Sequence, residues 1–307
     1  MEKLIGNTPL IELKNITKAG GRYALNTNAR IFVKAENRNA GGSIKDRVAK
    51  QIVDEAEKSG KLTKGGCIVE ATSGNTGIGL ALIAAVRGYK AVIVMPDTMS
   101  VERQKLMRAY GAEVVLTDGK KGMQGAVERA NEIVQNTPNA ILADQFNNPA
   151  CVRAHYLTTG PEIWTQTNGE TDIFVSAVGT GGTLTGTGKY LKEKNPNCQI
   201  VAVEPFDSPL LSKGYAGAHA LQGIGANFVP SILDRELYSE VLTVTKEQAF
   251  ETARALCQTE GLFVGITSGV NVYAALCLAM RKENAGKNIV TVLPDEGGRY
   301  LSSGLFE

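Results

Sequence analysis

The sequence predicts an α/β fold of two domains, each a mostly parallel twisted sheet with helices on both faces. Three observations carry that expectation. Short β-branched and apolar runs alternate with longer runs of helical period, the pattern of parallel strands joined by crossover helices. Glycine-rich turns lead from strand to helix around positions 72–77 and 179–183, at the carboxyl edge where such sheets bind ligands. The length, 307 residues, suits one large or two moderate domains.

The elements follow in order. Residues 29–36 are rich in β-branched and aromatic types and predict a strand. Ser43 stands as a helix N-cap with Asp46 three residues on. Ile44, Val48, Ile52 and Ala56 recur every four positions, so a helix runs to about Ser59 and stops at Gly60. Residues 67–71 predict a short buried strand, and 78–87 an apolar helix closed by Gly88. The cycle repeats as strand 91–95, helix 101–110, strand 113–117 and helix 122–135. Strand 172–178, the second glycine turn, helix 184–194, strand 199–203, helices 246–258 and 269–281, and strand 288–293 complete it. A boundary near 146–150 predicts domains 1–147 and 148–307, with the segment around 13–35 able to pack with the other domain. The stretch 205–230 is glycine-rich and weakly periodic and reads as a long ordered loop, a kind often functional in compact enzymes.

Composition excludes several classes. Hydrophobic residues at 43% and charged residues at 21% are ordinary for a soluble globular protein. A net charge of +2 leaves no basic surplus for nucleic acid. The most apolar runs, 78–86 and 272–280, fall short of the roughly 20 residues of a membrane span. The N-terminus carries no secretory signal pattern. A cytoplasmic protein without membrane or nucleic-acid partners is expected. Cys67, Cys151, Cys198, Cys257 and Cys277 are odd in number and widely spaced, which argues for small core residues over a disulfide scaffold or a zinc site. No metal is expected. Only two histidines, His155 and His219, are present, which weakens any Ser-His or His-metal mechanism.

The glycine turns carry the chemistry. Gly179, Thr180, Gly181, Gly182 and Thr183 offer consecutive N–H groups and two hydroxyls at a helix start, a phosphate cradle, or else a turn that needs glycine for steric reasons. The run lacks the third glycine of a dinucleotide fingerprint, and Gly188-Lys189 lacks the flanking residues of a P-loop. Thr72, Ser73, Gly74, Asn75 and Thr76 form a second polar turn suited to an amino-acid carboxylate, where Asn75 can bond a cofactor ring oxygen, or else simply a polar turn with a helix cap. Lys45 follows Gly41-Gly42-Ser43-Ile44 at a helix mouth, where the dipole favours the neutral amine needed for imine chemistry. Lys34, Lys50 and Lys58 read as solvated surface lysines. In Gly265-Ile266-Thr267-Ser268-Gly269 a hydroxyl can meet a pyridine nitrogen without protonating it, which favours elimination and replacement at Cβ, or it can simply cap a helix. Together these suit pyridoxal 5'-phosphate held by Lys45.

In this order the motifs closely resemble the cysteine synthase (O-acetylserine sulfhydrylase) family, of the tryptophan-synthase-β fold type (fold type II). The resemblance includes Ile5-Gly6-Asn7-Thr8-Pro9-Leu10, the lysine segment, the 70–77 turn, Asp144-Gln145-Phe146, residues 159–164, the 178–183 turn, residues 221–226 and 265–269. It implies that Lys45 bonds the cofactor and moves the Cα proton. It also implies that Asn75 contacts the ring oxygen, that residues 179–183 hold the phosphate and that Thr267 meets the pyridine nitrogen. Thr72, Ser73, Gly74, Thr76 and Gln145 then bind the substrate carboxylate. The implied reaction makes L-cysteine from O-acetyl-L-serine and sulfide through an aminoacrylate, in a homodimer that serine acetyltransferase can dock on.

Three departures bear on the substrate pair: Asn39-Ala40 for Asn-Pro, the loop 215–220, and the variant 295–299. Sister activities on the same scaffold are a cystathionine β-synthase-like replacement with a thiol and a sulfide-releasing cysteine lyase. A nicotinamide dehydrogenase lacks its glycine fingerprint here, and a silent binding protein on this fold is disfavoured by the retained lysine.

Overall fold

Runs of Val and Ile too short for helices become strands, and the flanking glycines end them. The computed structural model describes residues 1–307 other than Ala19, Gly20, Arg22 and Asn26; those four lie within the segment 13–35. In chain order the strands are β1 (Leu10–Glu12), β2 (Arg30–Ala35), β3 (Cys67–Ala71), β4 (Lys90–Pro96) and β5 (Glu113–Thr117). They continue as β6 (Ala140–Leu142), β7 (Ile173–Ala177), β8 (Gln199–Pro205), β9 (Glu240–Val244) and β10 (Asn288–Leu293). The chain divides into two compact units, Met1–Ile5 with Asn39–Cys151, and Gly6–Arg38 with Val152–Glu307.

The first unit holds a four-stranded sheet in the order β5-β4-β3-β6, all parallel. Ile68, Val69, Ile93 and Val94 are fully buried, each stabilising by about 1.5–3 kcal/mol over an exposed position. On one face Ala126 and Ala130 of helix Gly122–Asn136 pack on Cys67, Val69, Val92 and Val94. Helices Lys45–Lys58 and Asn75–Arg87 pack on each other, and Gly88 ends the latter in the left-handed region at φ 74°. Arg87 donates to Glu2 Oε2 and Asp54 Oδ1, each at 2.6 Å, and to Glu57 Oε2 at 3.0 Å.

The second unit holds six strands in the order β1-β2-β10-β7-β8-β9. Only β1 runs antiparallel, Leu10 facing Lys34; the other neighbours are parallel. Helix Ile266–Ala279 is buried along nearly its whole length and centres the core with Val175, Val201, Ile289 and Leu293. Thr245 and Gln248 form a reciprocal capping box on helix Lys246–Ala255.

Several expectations needed correction. Ser43 does not cap its helix with Asp46: the N-cap is Ile44, without a side-chain cap. Ser43 Oγ accepts the Lys45 N–H at 3.2 Å, while buried Asp46 accepts the Gly41 N–H at 2.6 Å. Asp46 thus stabilises the glycine turn instead of the helix end. Lys34 is not solvated but fully buried. Its ammonium meets Glu162 Oε2 at 2.7 Å and donates to Thr8 O at 2.5 Å and Gln166 Oε1 at 2.8 Å, so its charge is paired as burial demands. Lys50 is partly exposed and pairs with Asp54 at 2.6 Å. The expected helix 246–258 gives way after Ala255 to a wider π turn, Leu256–Glu260. The loop 205–230 contains one short helix, Leu210–Lys213.

Glu162→Ala strands the Lys34 ammonium in the core. Urea denaturation is expected to show a loss of about 3–5 kcal/mol, whereas Lys34→Met, which removes the buried charge, is expected to cost clearly less.

Candidate functional site

In the first unit the polar turn leaves the carboxyl end of β3. Thr72 Oγ1 accepts the Gly74 N–H at 3.1 Å, and Arg103 Nη1 reaches Ser73 O at 3.4 Å. Helix Asn75–Arg87 begins at Asn75, so the turn extends into its first residues. A Cβ on Gly79 would lie 3.1 Å from Lys45 O and from Ala49 Cβ, so glycine there lets the two helices close up at Lys45. Lys45 is the first residue of its helix and is half-buried.

Buried Thr76 donates its hydroxyl to Gln145 Oε1 at 2.5 Å. Asp144 N–H donates to Oε2 of the buried Glu70 carboxyl at 2.7 Å. Asp144 reaches this position with φ 50°, in the left-handed region, one that Asp tolerates better than most residues. Burial pushes the Glu70 carboxyl up to about 8, against the opposing pull of the N–H donors. Burial likewise pushes the Cys151 thiol up to about 12, with Lys45 pulling the other way, which makes it a poor nucleophile at neutral pH.

In the second unit the glycine turn follows β7. Gly181 is the N-cap of helix Gly182–Lys194 with φ 85°, and a Cβ on it would lie 2.8 Å from Leu233 Cβ. A Cβ on Gly179 would lie 2.5 Å from Gly223 O. The helix starts without a side-chain cap and without an acidic residue in its first turn. Gly182 N–H donates weakly to Thr180 Oγ1 at 3.4 Å; the dipole and the N–H groups of the first turn suit an anion, and with the Thr180 and Thr183 hydroxyls nearby the donor set fits a phosphate. Buried His155 bridges Thr159 Oγ1 at 2.9 Å and Thr183 Oγ1 at 3.2 Å.

Thr267 and Ser268 lie inside the first turn of helix Ile266–Ala279, whose N-cap is Gly265. Thr267 Oγ1 donates to Gln222 O at 3.0 Å, while Ser268 Oγ is buried with no hydrogen-bond partner among the described residues. One turn on, Asn271 accepts the Ala177 N–H and donates to Val292 O, each at 2.8 Å. The β7–β10 ladder pairs Ile173 with Ile289 and Phe174 with Val290. Past it, Asn271 and the Thr291 hydroxyl, which donates to Val175 O at 2.7 Å, satisfy the strand ends that lead to the glycine turn.

The first unit thus brings Thr76 together with Gln145, and the second brings Thr183 to His155 and Thr267 to the backbone at Gln222. Sequence reasoning passed over Glu70, His155 and Asn271. Their shared signal is a polar residue within an otherwise apolar run: Glu70 in Cys67–Ala71, Asn271 in Ile266–Ala279, and His155 after Ala150–Ala154.

A glycine turn whose donors fit a phosphate and an amine at a helix start suit an enzyme that works with a phosphorylated aldehyde. The sequence profile of the family described as pyridoxal-phosphate dependent enzyme matches residues 1–295, and the chain belongs to that family. Its relatives are narrower in kind. It is 50% identical over 303 residues to cysteine synthase 3 of Caenorhabditis elegans, across 98% of this chain and 88% of that protein. It is 47% identical over 305 residues to cysteine synthase of Staphylococcus aureus, across 99% and 96% of the two chains. The crystal structure of cysteine synthase (OASS) from Entamoeba histolytica superposes with a TM-score of 0.95 at 46% identity, across 99% of this chain and 89% of that one. Among the described residues no helix is long and apolar enough to cross a membrane.

Gly181→Ala forces a methyl into a left-handed position against Leu233. A shift of about 1–3 kcal/mol at such a site is expected to weaken pyridoxal phosphate binding by roughly tenfold or more, read by titrating the apoprotein with cofactor.

Proposed function

We propose that this protein makes L-cysteine from O-acetyl-L-serine and sulfide. The observation that supports this most strongly is full-length similarity to cysteine synthases at 47–50% identity, joined to a lysine, a carboxylate turn and a phosphate turn of the right chemistry. The cofactor supplies an aldehyde that bonds amines reversibly and a ring that takes up the electron pair left at Cα.

The residues have separate tasks. Lys45 holds the cofactor through its amine, removes the Cα proton and returns it at the end of the cycle. One base serves for both transfers because they occur at the same carbon. The N–H groups and hydroxyls of Gly179, Thr180, Gly181, Gly182 and Thr183 carry the phosphate, with His155 orienting Thr183. Asn75 contacts the ring oxygen. Thr72, Ser73, Gly74, Thr76 and Gln145 bind the substrate carboxylate. Thr267, by turning its hydroxyl from Gln222 O to the pyridine nitrogen, would offer that nitrogen a donor and no charge, which suits loss of acetate from Cβ and addition of sulfide there. The protein works as a cytoplasmic homodimer, and serine acetyltransferase is its candidate partner.

The purified protein is expected to be yellow and to form cysteine when given O-acetylserine and sulfide; a colourless preparation that pyridoxal phosphate cannot reconstitute would sink the reading. Lys45→Ala is expected to lower turnover by at least about 10²–10⁴-fold, the range for loss of a general base. Thr267→Asp is expected to retain the cofactor while slowing sulfide replacement. Unchanged kinetics in that variant would remove Thr267 from the site.

A further inference from the structure

We propose that Thr159 and His155 are positioning residues for the cofactor phosphate: Thr159 locks the imidazole with its proton on Nε2, and the ring then leaves the Thr183 hydroxyl proton free for a phosphate oxygen. The inference rests on the assignment of the 179–183 turn to that phosphate.

Thr159 and His155 are both 0% exposed. Water therefore cannot complete their hydrogen bonds, and each is satisfied by its neighbour. Thr159 Oγ1 lies 2.9 Å from the ring Nδ1, and Thr183 Oγ1 lies 3.2 Å from Nε2. Gly186 brings the ring against helix Gly182–Lys194, since a Cβ there would lie 2.8 Å from His155 Cβ.

Each hydroxyl has one proton, and a neutral imidazole has one N–H. The chain therefore runs in one of two directions. In the first, Thr159 O–H donates to Nδ1, Nε2–H donates to Thr183 Oγ1, and the Thr183 proton remains for the ligand. In the second, Nδ1–H donates to Thr159 and Thr183 spends its proton on Nε2. Thr183 then faces a phosphate with lone pairs alone, against oxygens that only accept.

The far end of the chain decides between them. Residues His155–Thr159 form a π turn in which Gly160 N–H donates to His155 O. The hydroxyls of Thr158 and Thr167 donate to the carbonyl four residues back, Ala154 O and Ile163 O. Thr159 turns to the imidazole instead, and that is its one side-chain hydrogen bond among the described residues. In the second direction its proton would be stranded in the core, at the cost of an unsatisfied buried donor. The first direction is therefore built into the fold before the cofactor arrives. The bond that Thr183 then makes to a charged oxygen is of the stronger, charge-assisted kind.

The test titrates apoprotein with pyridoxal phosphate and with pyridoxal, which keeps the aldehyde and lacks the phosphate. His155→Asn keeps a polar group facing Thr159 but falls short of Thr183; His155→Gln extends an NH2 to the place of Nε2. The Asn variant is expected to bind pyridoxal phosphate roughly ten- to a hundredfold more weakly, the range for a lost hydrogen bond to a charged group, and to bind pyridoxal as the wild type does. The Gln variant is expected to recover most of the loss. Equal weakening toward both ligands, or a Gln variant no better than Asn, overturns the proposal. A second readout uses 15N-labelled histidine in the holoenzyme. The chain has two histidines, and His219 serves as the reference because its Nε2 lies 2.8 Å from Gly225 O, which only accepts. Both rings are expected to carry their proton on Nε2; a proton on Nδ1 of His155 overturns the proposal. Thr183→Val separates the two levels. If it leaves the preference for pyridoxal phosphate over pyridoxal intact, the phosphate assignment falls and this inference with it. If it lowers that preference while His155→Asn does not, this inference alone falls.

Discussion

The close approach permitted by Gly79 is the constraint on which the first unit depends. Its missing side chain lets the helix that leaves β3 lie against the carbonyl of Lys45. A methyl group at that point meets backbone at Lys45 and a packed methyl at Ala49, neither of which can rotate away. The polar turn at 72–76 and Lys45 are therefore spaced by a backbone-to-backbone contact, the stiffest kind a protein core offers. Gly77 helps in the same way, since a Cβ there would lie 2.8 Å from Met107 Cε and 3.0 Å from Ile93 Cγ2.

Charge explains how the chain is shared between the units. The first five residues stay with the first unit because Glu2 makes a bidentate contact with Arg87, through Nε at 2.8 Å and Nη2 at 2.6 Å. Just beyond them the chain belongs to the second unit. There Glu162 accepts the Asn7 N–H at 3.0 Å and pairs with Lys34, and Glu260 Oε1 accepts the N–H groups of Lys14, Asn15 and Ile16. Each is a carboxylate gathering donors that a short, irregular segment leaves without strand partners.

Much of this was legible in the sequence where one local rule acted alone. Gly88, Gly122 and the strand at 67–71 stand where glycine placement and β-branched runs put them. The reading failed where a distant partner decides. β1, β6 and the antiparallel contact of Leu10 with Lys34 are three-residue pairings that no local period announces. Lys34 looks like any other lysine until Glu162, far along the chain, supplies its counter-charge. Ser43 looked like a cap, but Asp46 was drawn to the glycine turn instead. In the site, the turn at 179–183 stood out in the sequence because consecutive glycines before a helix offer backbone donors at one point. Glu70, His155 and Asn271 were not, because each acts through another side chain or a strand end that only the fold brings near.

The strand order has a consequence for biogenesis. β3 to β6 form one uninterrupted stretch of chain, so their sheet has all its strands as soon as Leu142 has left the ribosome. The other sheet is different: β10, which follows all its neighbours in the chain, is the one that separates β2 from β7. Until β10 has been made, β2 and β7 each present an apolar edge that lacks its partner. Nascent chains stalled between β7 and β10 are thus exposed to aggregation at those edges.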